Sequence, residues 1–130
     1  MRRGAWDHSS STSMFAKDSG LLQGTVELLV LKTLSWGPMH GYGIASWIET
    51  ATHDVLSVEE GSLYPALYRM TRKGWIKAQW RVTENNRRAK YYSLTVEGKR
   101  QFRDQASGWQ RFSEAVSQAV TTKTAPSWAK

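Results

Sequence analysis

The sequence feature that most constrains the fold is a change of hydrophobic period near residue 75. Within residues 21–73, apolar residues recur at helical spacing in three segments separated by glycine, proline and polar residues. After that point, apolar residues alternate with polar ones, as in a half-exposed strand, at Ile76, Ala78, Trp80 and Val82. Residues 84–87 suit a turn, and residues 88–94 are expected to return as the partner strand. The pattern therefore predicts three helices followed by a β-hairpin.

The first two helices have sequence signals at their ends. Gly24 or Thr25 can cap the first helix, which is apolar on most sides, and Gly37-Pro38 ends it. The second helix is predicted from about Tyr42 to Ala51.

Two starts fit the third helix. Ser57 with Glu60 three residues later forms a capping box, whereas a cap at Ser62 places Pro65 in the first turn, where proline is tolerated. The earlier start is preferred, with Pro65 bending the second turn. Either start aligns the same apolar residues on one stripe that faces a core: Leu63, Ala66, Leu67 and Met70.

The opposite side of the third helix is polar and aromatic. It has Pro65, Tyr68, Arg69 and Arg72 at its centre, with Ser62 and Tyr64 on its flanks. Hydroxyl and guanidinium groups donate to phosphates and reach base edges in a major groove. Arg69 is the strongest candidate for a base contact, because a guanidinium can pair with both acceptors of guanine. The simpler alternative is a surface helix whose arginines only keep it solvated.

The hairpin places Asn86 and three basic residues, Arg87, Arg88 and Lys90, at or near its turn. Like charges this close repel unless a polyanion neutralises them. In a wing they would lie along a phosphate backbone or in an adjacent minor groove, where arginine is favoured by the negative potential. Of the neighbouring Tyr91 and Tyr92, one is expected to pack inward and the other to remain on the strand surface.

A long terminal helix is predicted from a Thr95 cap to about Val120. Its apolar residues step by three or four and form a seam: Phe102, Ala106, Trp109, Phe112, Val116 and Val120. A small three-helix core cannot bury all of this seam, and an exposed stripe of that length is a liability in a monomer. We therefore predict a twofold homodimer. Trp109, in the middle of the seam, either packs in the dimer core, which is preferred, or lines a ligand cavity.

The charge distribution indicates a polyanionic partner. The chain of 130 residues carries +7, with 18 Lys+Arg against 11 Asp+Glu. Residues 21–60 are net −4, whereas residues 61–100 are net +8 and contain several aromatic residues. A basic second half next to an acidic first half suggests a nucleic-acid-facing surface. The alternative is a solvated charged face.

Composition excludes several classes of protein. The chain has no cysteine, which excludes disulfides and thiolate metal sites and favours a reducing cytoplasm. It has no apolar run of the roughly 20 residues that span a bilayer, and no secretory signal is expected at the start. The three histidines, at positions 8, 40 and 53, lack metal-ligand spacing, and the sequence has no nucleophile motif. We therefore expect that His8, His40 and His53 serve no catalytic or metal site, and that the protein is not an enzyme and has no metal or cofactor. Of these, His40 is expected to order a turn.

The predicted fold is mainly α with a small β-hairpin, the order of a winged helix-turn-helix with an added C-terminal dimerisation helix. Residues 1–20, rich in serine, are expected to form a disordered tail, and translation could begin at Met14 instead of Met1. The winged helix-turn-helix is predicted over residues 21–94 and the dimerisation helix over 95–122. Residues 123–130 are expected to fray.

Five segments of the chain resemble, in the same order, the PadR family of bacterial transcriptional regulators. They are residues 22–31 (LQGTVELLVL), 37–44 (GPMHGYGI), 60–67 (EGSLYPAL), 85–92 (NNRRAKYY) and 94–98 (LTVEG). The resemblance extends from about Leu21 to Val120 and does not include residues 1–20.

This resemblance implies a dimeric winged-helix repressor that reads double-stranded DNA with its third helix. The DNA-facing residues would be Ser62, Tyr64, Pro65, Tyr68 and Arg69 of the helix and Arg87, Arg88 and Lys90 of the wing. It also implies a small aromatic or lipophilic effector, such as a phenolic acid or a drug, that lowers DNA affinity in some members. The single short terminal helix is similar to that of the smaller subfamily rather than to members with a larger effector domain.

Two other functions remain compatible with the residues. The first is a winged helix that binds a protein partner without specific DNA binding. The second is a basic RNA-binding module, which is disfavoured because the major groove of A-form RNA does not admit a helix.

Overall fold

The computed structural model describes residues 19–129, with side chains from Gly24 onward. Its elements are α1 (Ser19–Leu34), β1 (Met39–His40), α2 (Gly41–Ala51), α3 (Glu60–Arg72), β2 (Ile76–Val82), β3 (Arg88–Leu94) and α4 (Val96–Val120). The expectations for residues 1–18, including a start at Met14, fall outside the described residues. Neither Gly24 nor Thr25 caps the first helix, because both lie inside α1. The glycine costs helix propensity but does not stop a helix that continues on both sides.

α3 begins between the two predicted starts. Glu60 is its first residue and Glu59 is the N-cap, so neither the Ser57 capping box nor a Ser62 cap forms. The backbone carbonyl of Glu59 accepts from the amides of Ser62 and Leu63, both at 2.9 Å. The first turn is therefore satisfied by the backbone itself. Pro65 lies inside the helix, as expected from an early start.

A third strand joins the predicted hairpin. The antiparallel sheet has the order β1-β3-β2, and β2 pairs with β3 from Ile76↔Leu94 to Val82↔Arg88. The two-residue β1 pairs with β3 through Met39↔Tyr92. A strand of two residues has no hydrophobic period, which explains why the sequence did not indicate it.

His40 has the structural role that the sequence predicted. It is the N-cap of α2, where its Nδ1 accepts a hydrogen bond from the Gly43 amide at 3.0 Å. Its ring also meets Tyr91 edge-on, with the ring centroids 5.2 Å apart. The ring therefore fixes the entry to α2 against β3.

α1 lies at the centre of the core and packs against α2, α3, α4 and the sheet. Its buried side chains face those of α2 and α3, and β2 closes one end; the largest fully buried apolar residues are Leu31, Ile44, Ile48, Leu63, Leu67, Met70 and Ile76. Within residues 19–129, no helix is long and apolar enough to cross a membrane.

α4 begins on the core and then leaves it. Thr95 is the N-cap, as predicted, and its Oγ1 accepts from the Gly98 amide at 3.0 Å. Gly98 is buried against Trp75, and the Trp75 carbonyl oxygen occupies the position that a Cβ at residue 98 would take. Beyond the first turns no side chain of α4 is buried, and the helix ends at Val120. The described residues after it form only turns and bends.

Candidate nucleic-acid interface

The outer side of α3 has the composition that the helical pattern predicted. Ser62, Tyr64, Pro65 and Tyr68 are exposed, whereas the stripe of apolar residues on the other side is buried in the core. Arg72 is also exposed, and its guanidinium lies 5.8 Å from the ring centroid of Tyr68. The helix therefore presents a hydroxyl, two phenols and a cation to solvent.

Arg69 is the exception on this helix. Its Nε donates to Oε2 of the buried Glu27 at 3.1 Å, and its side chain is only 33% exposed. The helical wheel placed Arg69 on the exposed side of α3, whereas its side chain is only partly exposed. The cause is a carboxylate on α1, 42 residues away in sequence, which a wheel of α3 cannot include.

Tyr64 connects α3 to the start of α2. Its ring covers Gly41, where any Cβ would overlap the phenol. Partial burial raises the pKa of the Tyr64 hydroxyl above its ordinary value, and the Glu60 carboxylate raises it further. The absence of a side chain at Gly41 thus allows the Tyr64 ring to pack closely against the start of α2. Tyr64 as a whole remains 43% exposed, and the neighbouring Pro65 is exposed as well.

The turn of the hairpin holds its basic residues in solvent. The amide of Asn86, at φ 59°, donates to the carbonyl of Thr83 at 2.9 Å, and the Thr83 amide donates to the Arg87 carbonyl. Asn86, Arg87, Arg88 and Lys90 are all exposed. Among the described side chains, no carboxylate lies within 4.0 Å of these three cations.

Trp80 is a residue of this surface that the sequence reasoning did not select. It is 55% exposed, directly opposite Lys90 in the register, and on the same face of the sheet as Arg88. The Arg88 guanidinium lies 4.8 Å from the Trp80 ring centroid and the Lys90 Nζ lies 5.9 Å from it. Trp80 lies on the same face of β2 as Ile76 and Ala78, as the alternation predicted. It is exposed because the core does not extend beyond Ala78. Pairing β2 with β3 on paper could have revealed this contact.

The second face of the hairpin repeats the arrangement. The guanidinium of Arg81 lies 5.0 Å from the ring centroid of Tyr91, which is half-buried, while Tyr92 is buried in the core. One tyrosine therefore packs inward and the other stays on the strand surface, as predicted. Each face of the wing beyond the core thus holds a cation against an aromatic ring.

The terminal helix carries a separate apolar surface. Trp109, Phe112, Val116 and Val120 are exposed along α4, and the rings of Trp109 and Phe112 have centroids 5.9 Å apart. Ala106 is half-buried, and Phe102 packs against the core of its own chain. Phe102, predicted as part of a dimer seam, is therefore at least partly used within the chain. We call the four exposed residues the α4 stripe.

The sequence model of the transcriptional regulator PadR-like family matches residues 30–104, which include α2, α3, the hairpin and the start of α4. The chain belongs to the PadR family. This confirms the resemblance found in the sequence.

Solved structures of PadR-like regulators share the fold. A PadR-like transcriptional regulator from Bacillus cereus is 26% identical with a TM-score of 0.69, and the match covers 81% of this chain and 100% of that one. A PadR family transcription regulator from Clostridium difficile is 28% identical with a TM-score of 0.63, over 73% and 97% of the two chains. A transcriptional regulator from Clostridium thermocellum is 27% identical with a TM-score of 0.69, over 77% and 97%.

These matches confirm the predicted winged-helix architecture, mainly helical with a small antiparallel sheet. PadR-like regulators bind DNA, so this PadR-family chain is a DNA-binding transcriptional regulator of a family whose members are not enzymes. Among the described residues, no group of His, Cys, Asp and Glu could hold a metal ion.

Proposed function

We propose that this PadR-family regulator is a repressor that binds a near-palindromic operator as a homodimer. α3 of each protomer enters a major groove, and the wing, the part of the hairpin from residue 80 to residue 91, lies along the phosphate backbone or in the adjacent minor groove. The observation that carries this proposal is the pair of exposed wing cations, Arg88 and Lys90, which lie beside the Trp80 ring and, among the described side chains, have no carboxylate within 4.0 Å. Cations without acidic neighbours are free to exchange their counterions for phosphates.

The two parts of the surface have different proposed roles. Ser62, Tyr64, Pro65, Tyr68 and Arg69 of α3 face the groove, where hydroxyl and guanidinium groups meet base edges and phosphates. Asn86, Arg87, Arg88 and Lys90 of the wing position the protein through the backbone. Base contacts then supply sequence preference, and wing contacts supply most of the affinity that depends on salt.

The α4 stripe supports the homodimer. Its four apolar residues occupy one side of α4, and each is at least 46% exposed in the single chain. A second copy related by a twofold axis would cover the stripe with the same stripe. The proposed dimer interface also includes Phe102 and Ala106, at the end of α4 that is nearest the core. Such a dimer would present its two α3 helices to half-sites about 34 Å apart.

An effector is part of the same proposal. A small aromatic or lipophilic molecule would lower DNA affinity by binding near Trp109 at the centre of the dimer. Trp109 and Phe112 provide two neighbouring rings that are about half exposed, which is the kind of surface that a flat apolar ligand contacts. Titration with phenolic acids, followed by release of bound duplex, tests this; Trp109→Ala should abolish the release.

Selection of bound duplexes from a random pool tests DNA recognition. The expected result is a motif with two inverted half-sites separated by one helical turn. Titration of a selected duplex and of an unrelated duplex at several salt concentrations should then show a steep salt dependence for both. No enrichment and no salt-dependent affinity would instead favour a winged helix that binds a protein.

Two variants separate the proposed roles. Lys90→Ala should weaken binding to all duplexes alike and reduce the slope of log affinity against log salt by about 1. Arg69→Ala should reduce the preference for the selected motif. Identical behaviour of the two variants would show that this division of roles is wrong.

A further inference from the structure

The ion pair between α1 and α3 has a geometry that bears on recognition. Glu27 lies on α1 with its side chain only 8% exposed, and both of its oxygens are engaged. Oε2 accepts from Nε of Arg69 at 3.1 Å, and Oε1 lies 3.7 Å from Nζ of Lys73. Both cations belong to the C-terminal end of α3 and its cap. One buried carboxylate therefore holds two basic side chains of the helix that faces DNA in the proposed function.

Stability alone does not require this arrangement. A buried ion pair is often replaced by apolar side chains of similar volume without loss of stability, because desolvation of the charges offsets their attraction. Val26 and Val30 on the same helix are buried apolar residues. An apolar side chain at position 27 could fill the space of the Glu27 side chain, but it could not fix the direction of a guanidinium.

The nitrogen of Arg69 that contacts Glu27 indicates how the orientation of the guanidinium can serve recognition. Glu27 holds Arg69 through Nε, and this contact does not require the two terminal nitrogens. Those nitrogens form the fork that matches the two acceptors of guanine in the major groove. A third of the Arg69 side chain remains exposed, and no ion pair between described residues uses its terminal nitrogens. An arginine fixed in this way loses less side-chain freedom when it binds a base.

We propose that Glu27 is a positioning residue that orients Arg69 for a specific guanine contact. This inference rests on the proposed function, because it assigns a role within the α3–DNA contact. Arg69 keeps its place in the recognition surface, and Glu27 determines the direction of its guanidinium. Lys73 neutralises the second oxygen of Glu27 and does not contact the base.

The test compares four proteins by selection from the same random duplex pool. Wild type should enrich a guanine at one position of each half-site. Glu27→Met keeps the volume and removes the acceptor, and Arg69→Lys keeps the ion pair but not the fork. Both should lose about tenfold of the preference at that same base pair, while their affinity for an unrelated duplex stays within about twofold of wild type. Lys73→Met removes the other partner of Glu27 and should keep the guanine preference, although its overall affinity falls.

The outcomes separate the inference from the proposed function. A wild-type protein without any sequence preference would refute the proposed function. Two results would refute the role of Glu27 while the proposed function stands. In the first, Arg69→Lys keeps the guanine preference of the wild type. In the second, Arg69→Lys loses this preference but Glu27→Met keeps it. Loss of preference in Lys73→Met as well would show that the pair acts only on the packing of α3.

Folding is controlled separately. Each variant is assayed well below the midpoint of its own thermal unfolding. If Glu27→Met is unfolded at the assay temperature, Glu27→Gln replaces it, since the amide keeps the size and one acceptor but removes the charge. The amide oxygen still accepts from the charged guanidinium but no longer carries the opposite charge, so Glu27→Gln should lose part of the guanine preference, less than Glu27→Met would. Equal preference in Glu27→Gln and wild type would overturn the inference.

Discussion

Single residues of this chain connect elements that are distant in sequence. The Thr95 hydroxyl accepts from the Gly98 amide and lies 2.6 Å from the carbonyl oxygen of Gly74, so one side chain joins the start of α4 to the end of α3. Gly98 itself touches the carbonyl of Trp75. These backbone contacts set the direction in which the terminal helix leaves the core.

The two glycines of α4 should respond in opposite directions to the same substitution. A Cβ at Gly98 overlaps the Trp75 carbonyl, whereas a Cβ at Gly108 meets nothing within 4 Å. Gly98→Ala should therefore lower the free energy of unfolding by about 1–3 kcal/mol, as overpacking against backbone does. Gly108→Ala should raise it by about 0.5–1 kcal/mol, because alanine loses less backbone entropy in a helix. Urea denaturation followed by circular dichroism measures both, and equal effects would contradict the packing at Gly98.

The buried phenol of Tyr92 should make stability depend on alkaline pH. Burial raises the pKa of Tyr92 above 10.0, and the neighbouring Tyr64 raises it further. The folded chain therefore holds this proton more tightly than the unfolded chain. The resulting stabilisation is complete below about pH 10 and is lost as the pH rises through the pKa of the folded state.

Denaturation by urea from about pH 8 to about pH 11 measures this effect. The free energy of unfolding should decline at the alkaline end, and Tyr92→Phe should decline less steeply. A variant with the same alkaline slope as wild type would show that Tyr92 does not account for the decline.

At the scale of elements, the hairpin combines a buried base with an exposed tip. Ile76 and Tyr92 are in the core, but from Trp80 onward the same face of the sheet is in solvent. The rings of Trp80 and Tyr91 hold Arg88 and Arg81, and among the described side chains neither cation forms an ion pair with a carboxylate. The wing can keep its positive charge for a polyanion because an aromatic ring does not neutralise it.

Trp80→Ala should weaken binding to any duplex. Each cation–π contact is worth about 0.5–1 kcal/mol at an exposed site. Loss of order at Arg88 and Lys90 together, about 1–2 kcal/mol, should therefore lower affinity about fivefold to thirtyfold, with the folded structure unchanged. Fluorescence anisotropy of labelled duplexes measures this, and Trp36→Ala, at an exposed tryptophan outside the wing, is the control. Equal affinities of Trp80→Ala and Trp36→Ala would remove Trp80 from the interface.

At the scale of the whole molecule, α1 relates the two proposed surfaces. It packs against α3 on one side, with the Glu27 ion pair across the contact, and against α4 on another. Lys32 on α1 lies 5.8 Å from the ring centroid of Phe102, at the base of the terminal helix. α1 therefore contacts both the helix of the proposed DNA surface and the helix of the proposed dimer surface.

A charge in the α4 stripe should separate the proposed dimer. Phe112→Glu places a carboxylate opposite its own copy in a twofold interface, where like charges are desolvated and repel. Light scattering at micromolar concentration should show the mass of two chains for wild type and of one chain for this variant. Gln118→Glu, on the opposite side of α4, should leave the mass of two chains. A wild-type mass of one chain would exclude the dimer.

The sequence by itself determined the elements and the family. The helical period of α2 and α3, the alternation of β2, the Thr95 cap and the five family segments are local patterns, and local patterns follow from backbone geometry and side-chain burial. Most of the proposed recognition surface followed from the same patterns, since the exposed side of α3 is the complement of its buried stripe.

Only the tertiary structure decided the contacts between elements. β1, the Glu59 cap, the Glu27–Arg69 pair, the Arg88–Trp80 contact and the use of Phe102 in the core depend on neighbours that are far apart along the chain. A periodic pattern states which side of an element is buried, but it contains no information on which residue of another element faces it. That pairing is fixed when the whole core packs at once.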